Sequence, residues 1–273
     1  MAGPTVPNDV MRGAEPFAFP GGDGPEGRTG VLLVHGFTGT PMSMLPWGEH
    51  LAAAGFAVRC PLLPGHGTRW QDCNGSTHDQ WTTAVDDAFD ALAAECDRVF
   101  VAGLSMGGTL SIRLAETRPD DVAGLLLVNP ALLTQRIDAK LLPLIARMTG
   151  SWAPIANDIK KPGITELAYP KLPTRAMMQL RSLWAVTRAD LPKVTVPVIV
   201  FHSAEDHVVE PINSQVLLDG ISSTDTTEVV LRDSYHVATL DNDAPAIFAG
   251  SVDWIREHVP AQPSADSPAA GAT

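Results

Sequence analysis

The chain has 273 residues, of which 45% are hydrophobic, and this size suits one globular domain with a small insertion. Its formal net charge of −12 argues against a nucleic-acid partner. No apolar run is long enough to cross a bilayer, so we expect no transmembrane segment. The N-terminal residues lack the basic and apolar regions of a signal peptide, which favours a cytoplasmic location.

The predicted domain lies between two polar, Pro-rich ends. Residues 1–13 are predicted to be flexible, and residues 260–273, rich in Ala, Pro and Ser, are predicted to form a disordered tail. Between them, helical patterns alternate with short apolar runs at 30–35, 56–60, 98–102, 124–128, 196–201 and 228–231. Continuous apolar runs are typical of parallel strands covered on both faces. The alternation predicts an α/β fold with a mostly parallel central sheet and helices on both faces, formed by residues 14–129 and 193–259.

Residues 130–192 interrupt this alternation. They contain no convincing strand and several short helical patterns rich in Leu, Met and Trp. A long insertion of this kind is usually an active-site lid, which we call the cap, although a plain helical extension of the core stays open. As candidates for an acyl pocket in the cap we take Leu141, Leu144, Ile145, Met148, Trp152, Ile155, Met178 and Leu183.

The strongest chemical signal is a G-x-S-x-G motif around Ser105. A predicted strand enters the motif and a predicted helix leaves it, which is the context of a nucleophile elbow. The tight turn explains the glycines at the flanking positions, and it lifts the serine hydroxyl to a helix N-terminus. Ser105 is therefore the predicted nucleophile.

A serine nucleophile needs a base that is held by an acid, and in this fold the chain order is serine, acid, histidine. Asp206 follows a predicted strand and is the candidate acid, with Glu205 and Asp233 as rivals. His236 follows the next predicted strand and is the candidate base. For the oxyanion hole we predict the backbone N–H groups of Met106 and Phe37.

Other kinds of site are not indicated. Cys60, Cys73 and Cys96 and the remaining histidines lack metal-ligand spacing, so no metal is predicted. The glycines around Ser105 match neither a P-loop nor a dinucleotide-binding pattern. Hydrolysis by an acyl-enzyme needs no cofactor.

With this triad in place, the chain resembles the bacterial monoacylglycerol lipase and carboxylesterase family of the α/β-hydrolase superfamily. The matching blocks run from about residue 14 to 258 and include 14–17, 35–39, 65–68, 103–108, 158–160, 166–170, 205–209 and 234–243. The resemblance supports the triad and the oxyanion hole. It also implies that Glu166 contacts a glycerol head group and that Ile155 narrows an acyl tunnel. The first half of the cap, 132–152, departs from the family pattern.

The expected function is hydrolysis of carboxylic esters through an acyl-enzyme, with monoacylglycerols as the leading substrate. The expected partner is thus a small ester, with transient contact with lipid surfaces. A general short- to medium-chain carboxylesterase shares the whole triad and stays open. A non-hydrolytic relative, such as a cofactor-free haloperoxidase, or a pure ligand-binding module would be less consistent with an intact triad.

Overall fold

A computed structural model of the chain describes residues 9–136, 142–153 and 157–259. Its main sheet has seven strands in the order β1-β3-β2-β4-β5-β8-β9, and only β1 runs antiparallel to its neighbour. The strands in chain order, including a small second sheet, are β1 Phe17–Phe19, β2 Thr29–Val34, β3 Ala57–Cys60, β4 Arg98–Leu104, β5 Val122–Val128, β6 Ser151–Trp152, β7 Leu172–Pro173, β8 Val198–Ser203 and β9 Thr226–Leu231.

Helices connect the strands and cover the sheet. In chain order they are α1 Leu45–Ala53, α2 Trp70–Cys73, α3 His78–Ala93, α4 Met106–Thr117, α5 Leu142–Met148, α6 Thr174–Asp190, α7 Ile212–Gly220 and α8 Ala244–His258. Helices α5 and α6 lie in the cap, together with the antiparallel pair β6 and β7. No helix in the described part of the chain is long and apolar enough to span a membrane.

Two hydrophobic clusters, one on each face, hold the sheet between its helices. Because successive side chains of a strand point to opposite faces, Leu32 and Val34 pack in one cluster while Val31 and Leu33 pack in the other. The first cluster includes residues of α3, α4 and α6, and the second includes residues of α1 and α8. Burial on both faces explains why these strands read as continuous apolar runs.

The predicted fold class is confirmed: the sheet is mostly parallel and helices cover both faces. Strand β1 was not predicted, since three residues of an edge strand leave too short a pattern to recognise. The prediction of no strand in the cap was also wrong in detail, because β6 and β7 pair there. Each has only two residues and therefore carries no periodic signal.

The topology brings four loops to one edge of the sheet. Strands β2, β4, β8 and β9 run parallel, so their carboxyl ends meet there. Residues 35–40 follow β2, Ser105 follows β4, and residues 204–209 and 232–237 follow β8 and β9. We call these last two segments the acid loop and the histidine loop. Sites in open α/β sheets form at this edge.

Candidate active site

Ser105 occupies a strained turn between β4 and α4. Its φ of 56° and ψ of −118° lie where L residues are rare. A Cβ atom at Gly103 would overlap the backbone of Gly107, and one at Gly107 would overlap the carbonyl oxygen of Val34. Only glycine fits at these two positions, so the motif is what permits β2, β4 and α4 to approach so closely.

Asp206 and His236 form a buried acid–base pair. Nδ1 of His236 lies 2.8 Å from Oδ2 of Asp206, and their side chains are only 9% and 2% exposed. The other carboxylate oxygen, Oδ1, accepts the N–H groups of Val208 at 2.8 Å and Val209 at 2.7 Å. With Nδ1–H donating to Asp206, Nε2 of the neutral ring is left to accept a proton.

The pair shifts the proton affinity of both groups. Burial on its own would raise the pKa of Asp206, but the charge of His236 and hydrogen bonds from the ring and two backbone N–H groups outweigh it and lower that pKa. Burial would lower the pKa of His236, and the charge and hydrogen bond of Asp206, with smaller contributions from Glu166 and Asp158, raise it instead. The imidazole is therefore a stronger base than an isolated buried histidine.

The rival carboxylates lie elsewhere. Asp233 is 63% exposed and pairs with the Lys160 ammonium at 3.0 Å. Glu205 is 61% exposed and lies 3.5 Å from Nε2 of His207. Neither of these two residues makes the contact with His236 that Asp206 makes.

The predicted oxyanion groups flank Ser105. Met106 is the first residue of α4, where a helix has no internal acceptor for its N–H. The loop after β2 runs beside the nucleophile, because a Cβ atom at Gly36 would lie 3.4 Å from Cβ of Ser105. Phe37, the next residue, lines the same cavity as Ser105 and His236. Both predicted N–H donors are thus next to the nucleophile.

Buried histidines support the loop after β2 from behind. Nε2 of His35 accepts the N–H of Leu63 at 3.2 Å, and the His35 and His66 rings are 5.2 Å apart at an angle of 66°. Burial, with the neighbouring His66, lowers the pKa of His35 to about 3, and burial lowers that of His66 to about 4. Both rings are neutral at pH 7 and serve packing, as expected for core histidines.

A cavity of about 540 Å³ opens above Ser105. Its wall includes apolar side chains of the cap and of the segment after β5, namely Leu133, Leu142, Ile145, Trp152, Met177, Leu180 and Trp184. It also includes the triad candidates Ser105 and His236 and the polar side chains of Thr134, Arg136, Asn157, Asp158, Glu166 and His207. The cavity thus offers both apolar and polar surface to a substrate at the candidate nucleophile.

Glu166 lies over the loop after β2. A Cβ atom at Gly39 would be 2.6 Å from Oε1 of Glu166, so the missing side chain makes room for the carboxylate. The N–H of Glu166 donates to Oδ1 of Asn157 at 2.6 Å, and the N–H of Tyr169 donates to the carbonyl of Thr38 at 3.3 Å. Burial raises the pKa of Glu166 to about 6, against the opposing effects of His236 and the Asn157 backbone.

Comparison with known proteins agrees with this geometry. The profile of a hydrolase family described as serine aminopeptidase, S33, matches residues 25–243. The chain belongs to this family.

Similar proteins include a lipase and an esterase by name. The chain is 44% identical over 256 residues to a thermostable monoacylglycerol lipase of Bacillus sp. (strain H-257), covering 91% of this chain and 97% of that protein. It is 24% identical over 250 residues to a carboxylesterase of Bacillus subtilis (strain 168), covering 88% and 98%. A solved structure from work on two metagenome-derived lipolytic enzymes, LipS and LipT, superposes with a TM-score of 0.87 at 40% identity, covering 91% of this chain and all of that one. The resemblance to the lipase and carboxylesterase family is confirmed, and the chain is a serine hydrolase with the α/β-hydrolase fold.

The cap of this hydrolase differs in part from the acyl pocket predicted from the sequence. Ile145 and Trp152 line the cavity, but Leu144 and Met148 are 58% and 80% exposed on the outer side of α5. Leu183 is fully buried in the core cluster, and Met178 is absent from the described cavity wall. Two further candidates, Leu141 and Ile155, lie outside the described residues.

On α6 the cavity is lined by Met177, Leu180 and Trp184 instead of the predicted residues. Their spacing of three and four places them on one face of the helix. Leu180 and Trp184 also belong to the core cluster, together with Ala176 and Leu183, and Met177 packs against it. These five positions form one apolar stripe of the helix, and the predicted Met178 lies on the opposite side.

Sequence reasoning assigned no role to two polar residues behind His236. Asn129, with a φ of 44° at the end of β5, donates from Nδ2 to the carbonyl of His236 at 2.8 Å and accepts the N–H of Ser203 at 2.7 Å. Asp158, in the cap, accepts the N–H of His236 at 3.2 Å. A polar residue directly after the apolar run 124–128 was the available signal for Asn129, and for Asp158 it was its place in the family-matching block 158–160.

Within the described ranges, no group of three or more His, Cys, Asp or Glu side chains is arranged to hold a metal ion. The three cysteines there are free thiols. The polar groups of the site are therefore those of acid–base and nucleophilic chemistry.

Proposed function

We propose that this hydrolase cleaves monoacylglycerols to a fatty acid and glycerol through an acyl-enzyme on Ser105. His236 accepts the serine proton at Nε2 as the hydroxyl oxygen attacks the ester carbonyl. The N–H groups of Met106 and Phe37 stabilise the tetrahedral oxyanion. His236 then donates the proton to the leaving glycerol oxygen, and Asp206 holds the ring in the required tautomer.

Water completes the cycle by the same steps. It enters where glycerol has left, gives a proton to Nε2 of His236 and attacks the acyl carbonyl. The tetrahedral intermediate collapses, the Ser105 oxygen recovers the proton, and the fatty acid departs. The raised pKa of His236 suits this double role, because a ring that must accept and return a proton works best when its pKa lies near the operating pH.

The observation that carries the substrate assignment is Glu166 in the wall of a cavity that also contains Ser105, His236 and apolar side chains of the cap. A carboxylate in such surroundings is costly unless it is solvated or receives hydrogen bonds. A monoacylglycerol offers two free hydroxyls, a diacylglycerol one and a simple alkyl ester none. Hydrogen bonds to a charged acceptor are the stronger ones, so a substrate without these donors leaves Glu166 unpaired and is disfavoured.

The names of relatives support this substrate and also define the alternatives. The 44% identity is to a monoacylglycerol lipase, which favours glycerol esters. A carboxylesterase at 24% identity keeps the general short- to medium-chain esterase as the second candidate. The family description names an aminopeptidase, and an acyl-enzyme on serine can also be formed from an amide, so peptides belong in the test.

A substrate panel with one inactive variant tests the proposal. Hydrolysis of a monoacylglycerol, the matching diacylglycerol, a short aryl ester and an amino-acid arylamide is followed with wild-type enzyme and Ser105→Ala. We expect the highest kcat/KM on the monoacylglycerol and no turnover by the variant. Equal turnover of the monoacylglycerol and the aryl ester would favour the general carboxylesterase, and preference for the arylamide would favour the peptidase.

The cap supports a further part of the proposal, transient contact with lipid surfaces. Leu144, Met148 and Trp152 of the cap are each more than half exposed, and Trp152 also lines the cavity. Apolar side chains in such a position suit contact with neutral lipid, since the net charge of −12 disfavours anionic surfaces. We retain as proposals the division into core and cap and a cytoplasmic location.

A further inference from the structure

Asp158 of the cap contacts both loops that carry the acid–base pair. Its Oδ2 accepts the N–H of His207 at 3.1 Å and the N–H of His236 at 3.2 Å. Its Oδ1 lies 2.8 Å from Nδ1 of His207, and its own carbonyl accepts the N–H of Val237 at 3.1 Å. One carboxylate thus bridges the neighbour of Asp206 in the acid loop and the backbone of His236 itself.

The segment that carries Asp158 is itself attached to the histidine loop. Asp241, which is buried, accepts the N–H groups of Lys160 at 2.7 Å, Lys161 at 2.8 Å and Tyr235 at 2.8 Å. Residues 157–161, which we call the bridging segment, are therefore joined to the core by two carboxylates of opposite origin. Asp158 reaches from the cap to the core, and Asp241 reaches from the core to the cap.

We propose that Asp158 is a positioning residue for the reaction, which holds the acid loop and the histidine loop at the spacing that the Asp206–His236 hydrogen bond requires. The inference rests on the proposed roles of Asp206 and His236. These two side chains come from loops that follow different strands, β8 and β9, whose last paired residues are Ser203 and Leu231. Beyond these residues the hydrogen bonds between β8 and β9 no longer fix the distance between the two loops. Asp158, which contacts both loops, helps to fix it.

The charge of Asp158 adds an electrostatic role to the geometric one. The charged groups that face His236 are Asp206, Glu166 and Asp158, and each favours the imidazolium that forms as Ser105 attacks. His207 lies between Asp158 and solvent, and Asp158 raises the pKa of that histidine. Loss of Asp158 therefore weakens His236 as a base as well as loosening its loop.

Three variants separate positioning from simple attachment of the cap. Asp158→Ala removes the bridge, and Asp158→Asn keeps one acceptor oxygen without the charge. The matched control is Asp190→Asn, because Asp190 also joins the cap to the core, through Arg113 at 2.5 Å, but does so from the end of α6. All are assayed on a short aryl ester, which has no glycerol hydroxyls to bind Glu166, alongside Ser105→Ala.

We expect Asp158→Ala to lower kcat by about 10²-fold, the cost of a catalytic group displaced by about 1 Å, with KM changed less than about threefold. Asp158→Asn should lose roughly tenfold, and its kcat/KM should fall off at lower pH than in wild type, since the pKa of His236 drops with the lost charge. The strongly downfield proton NMR signal of the His236–Asp206 hydrogen bond should weaken in both variants. Asp190→Asn should leave all three readouts unchanged.

Wild-type kcat and an unmoved pH profile in a folded Asp158→Asn enzyme would overturn the proposal, as would a loss confined to KM. If Asp158→Ala does not fold, the proposal is tested by the pH profile of Asp158→Asn and by the NMR signal of its His236–Asp206 hydrogen bond. Failure here is distinct from failure of the proposed function. In the first case the Asp158 variants stay active while Ser105→Ala is inactive, and in the second Ser105→Ala itself keeps its activity.

Discussion

The selectivity of this hydrolase for monoacylglycerols should depend on pH through Glu166. Burial raises the pKa of this carboxyl to about 6, so it is ionised at pH 8 and mostly protonated at pH 5. If its charge receives the glycerol hydroxyls, lowering the pH should remove the preference for glycerol esters. Glu166→Gln mimics the protonated form at every pH and should abolish the pH dependence of this preference.

The size of the effect follows from the strength of the hydrogen bonds. A hydrogen bond to a charged group contributes about 1.5–3 kcal/mol and a neutral one about 1 kcal/mol, a difference of roughly 1 kcal/mol for each hydroxyl. One or two such bonds correspond to roughly 5- to 30-fold in kcat/KM. This is large compared with the scatter of a kinetic assay, and small enough that the variant keeps measurable activity.

The assay must correct for protonation of His236, which lowers the turnover of every substrate as the pH falls. Glu166 also contributes to the raised pKa of His236, so the acid limb of Glu166→Gln lies at lower pH. Dividing kcat/KM for a monoacylglycerol by kcat/KM for a short aryl ester, with the same enzyme at the same pH, cancels both effects. Because about a tenth of Glu166 is still ionised at pH 5 with a pKa of about 6, the ratio should fall roughly 4- to 8-fold from pH 8 to pH 5 in wild type and stay level in Glu166→Gln. A level ratio in wild type, or a falling one in the variant, would refute the assignment of Glu166.

Further predictions concern the triad and the cap. Ser105→Ala should lower kcat by roughly 10⁴- to 10⁶-fold with an unchanged far-UV circular dichroism spectrum, and retention of a tenth of the activity would exclude Ser105 as nucleophile. Asp206→Asn should lower kcat by roughly 10³-fold or more, and Asp233→Asn by less than about threefold; the reverse order would identify the wrong acid. With water-dissolved esters, Ile145→Ala should shift the acyl-chain preference toward bulkier groups. Leu144→Ala, which changes the exposed neighbouring residue, should leave this preference unchanged. If both variants keep the wild-type acyl-chain preference, the acyl chain does not bind beside Ile145.

The candidate triad could be proposed from the sequence because each of its residues follows a strand that leaves a local signal. The strand before Ser105, the glycines beside it and the helix after it are contiguous, so a short window contains the whole turn. Asp206 and His236 are likewise close to the ends of β8 and β9. Chain order and the meeting of parallel strand ends at one edge then place the three side chains together.

The cap could not be predicted to the same detail, for two physical reasons. On helix α6 the residues that line the cavity and those buried in the core share one apolar stripe, so the pattern does not separate them; Met178, which was chosen in place of Met177, lies off this stripe. Asp158 acts mainly on backbone N–H groups that lie 49 and 78 residues away in sequence. Any residue type except proline can offer such a group, so no pairing of side chains in the sequence reveals the contact.

We expect the same contacts to decide which part of the cap gives way when a substrate enters. Lifting the bridging segment would break five hydrogen bonds. Three join the Asp158 carboxylate to His207 and His236, and two join the N–H groups of Lys160 and Lys161 to the Asp241 carboxylate. At roughly 1–2 kcal/mol each, these bonds total roughly 5–10 kcal/mol, which is comparable with the stability of a whole domain. Helix α5 instead leaves Leu144 and Met148 exposed, and displacing these side chains costs little apolar burial. We therefore expect the acyl chain to enter on the α5 side while the bridging segment stays in place beside the acid–base pair.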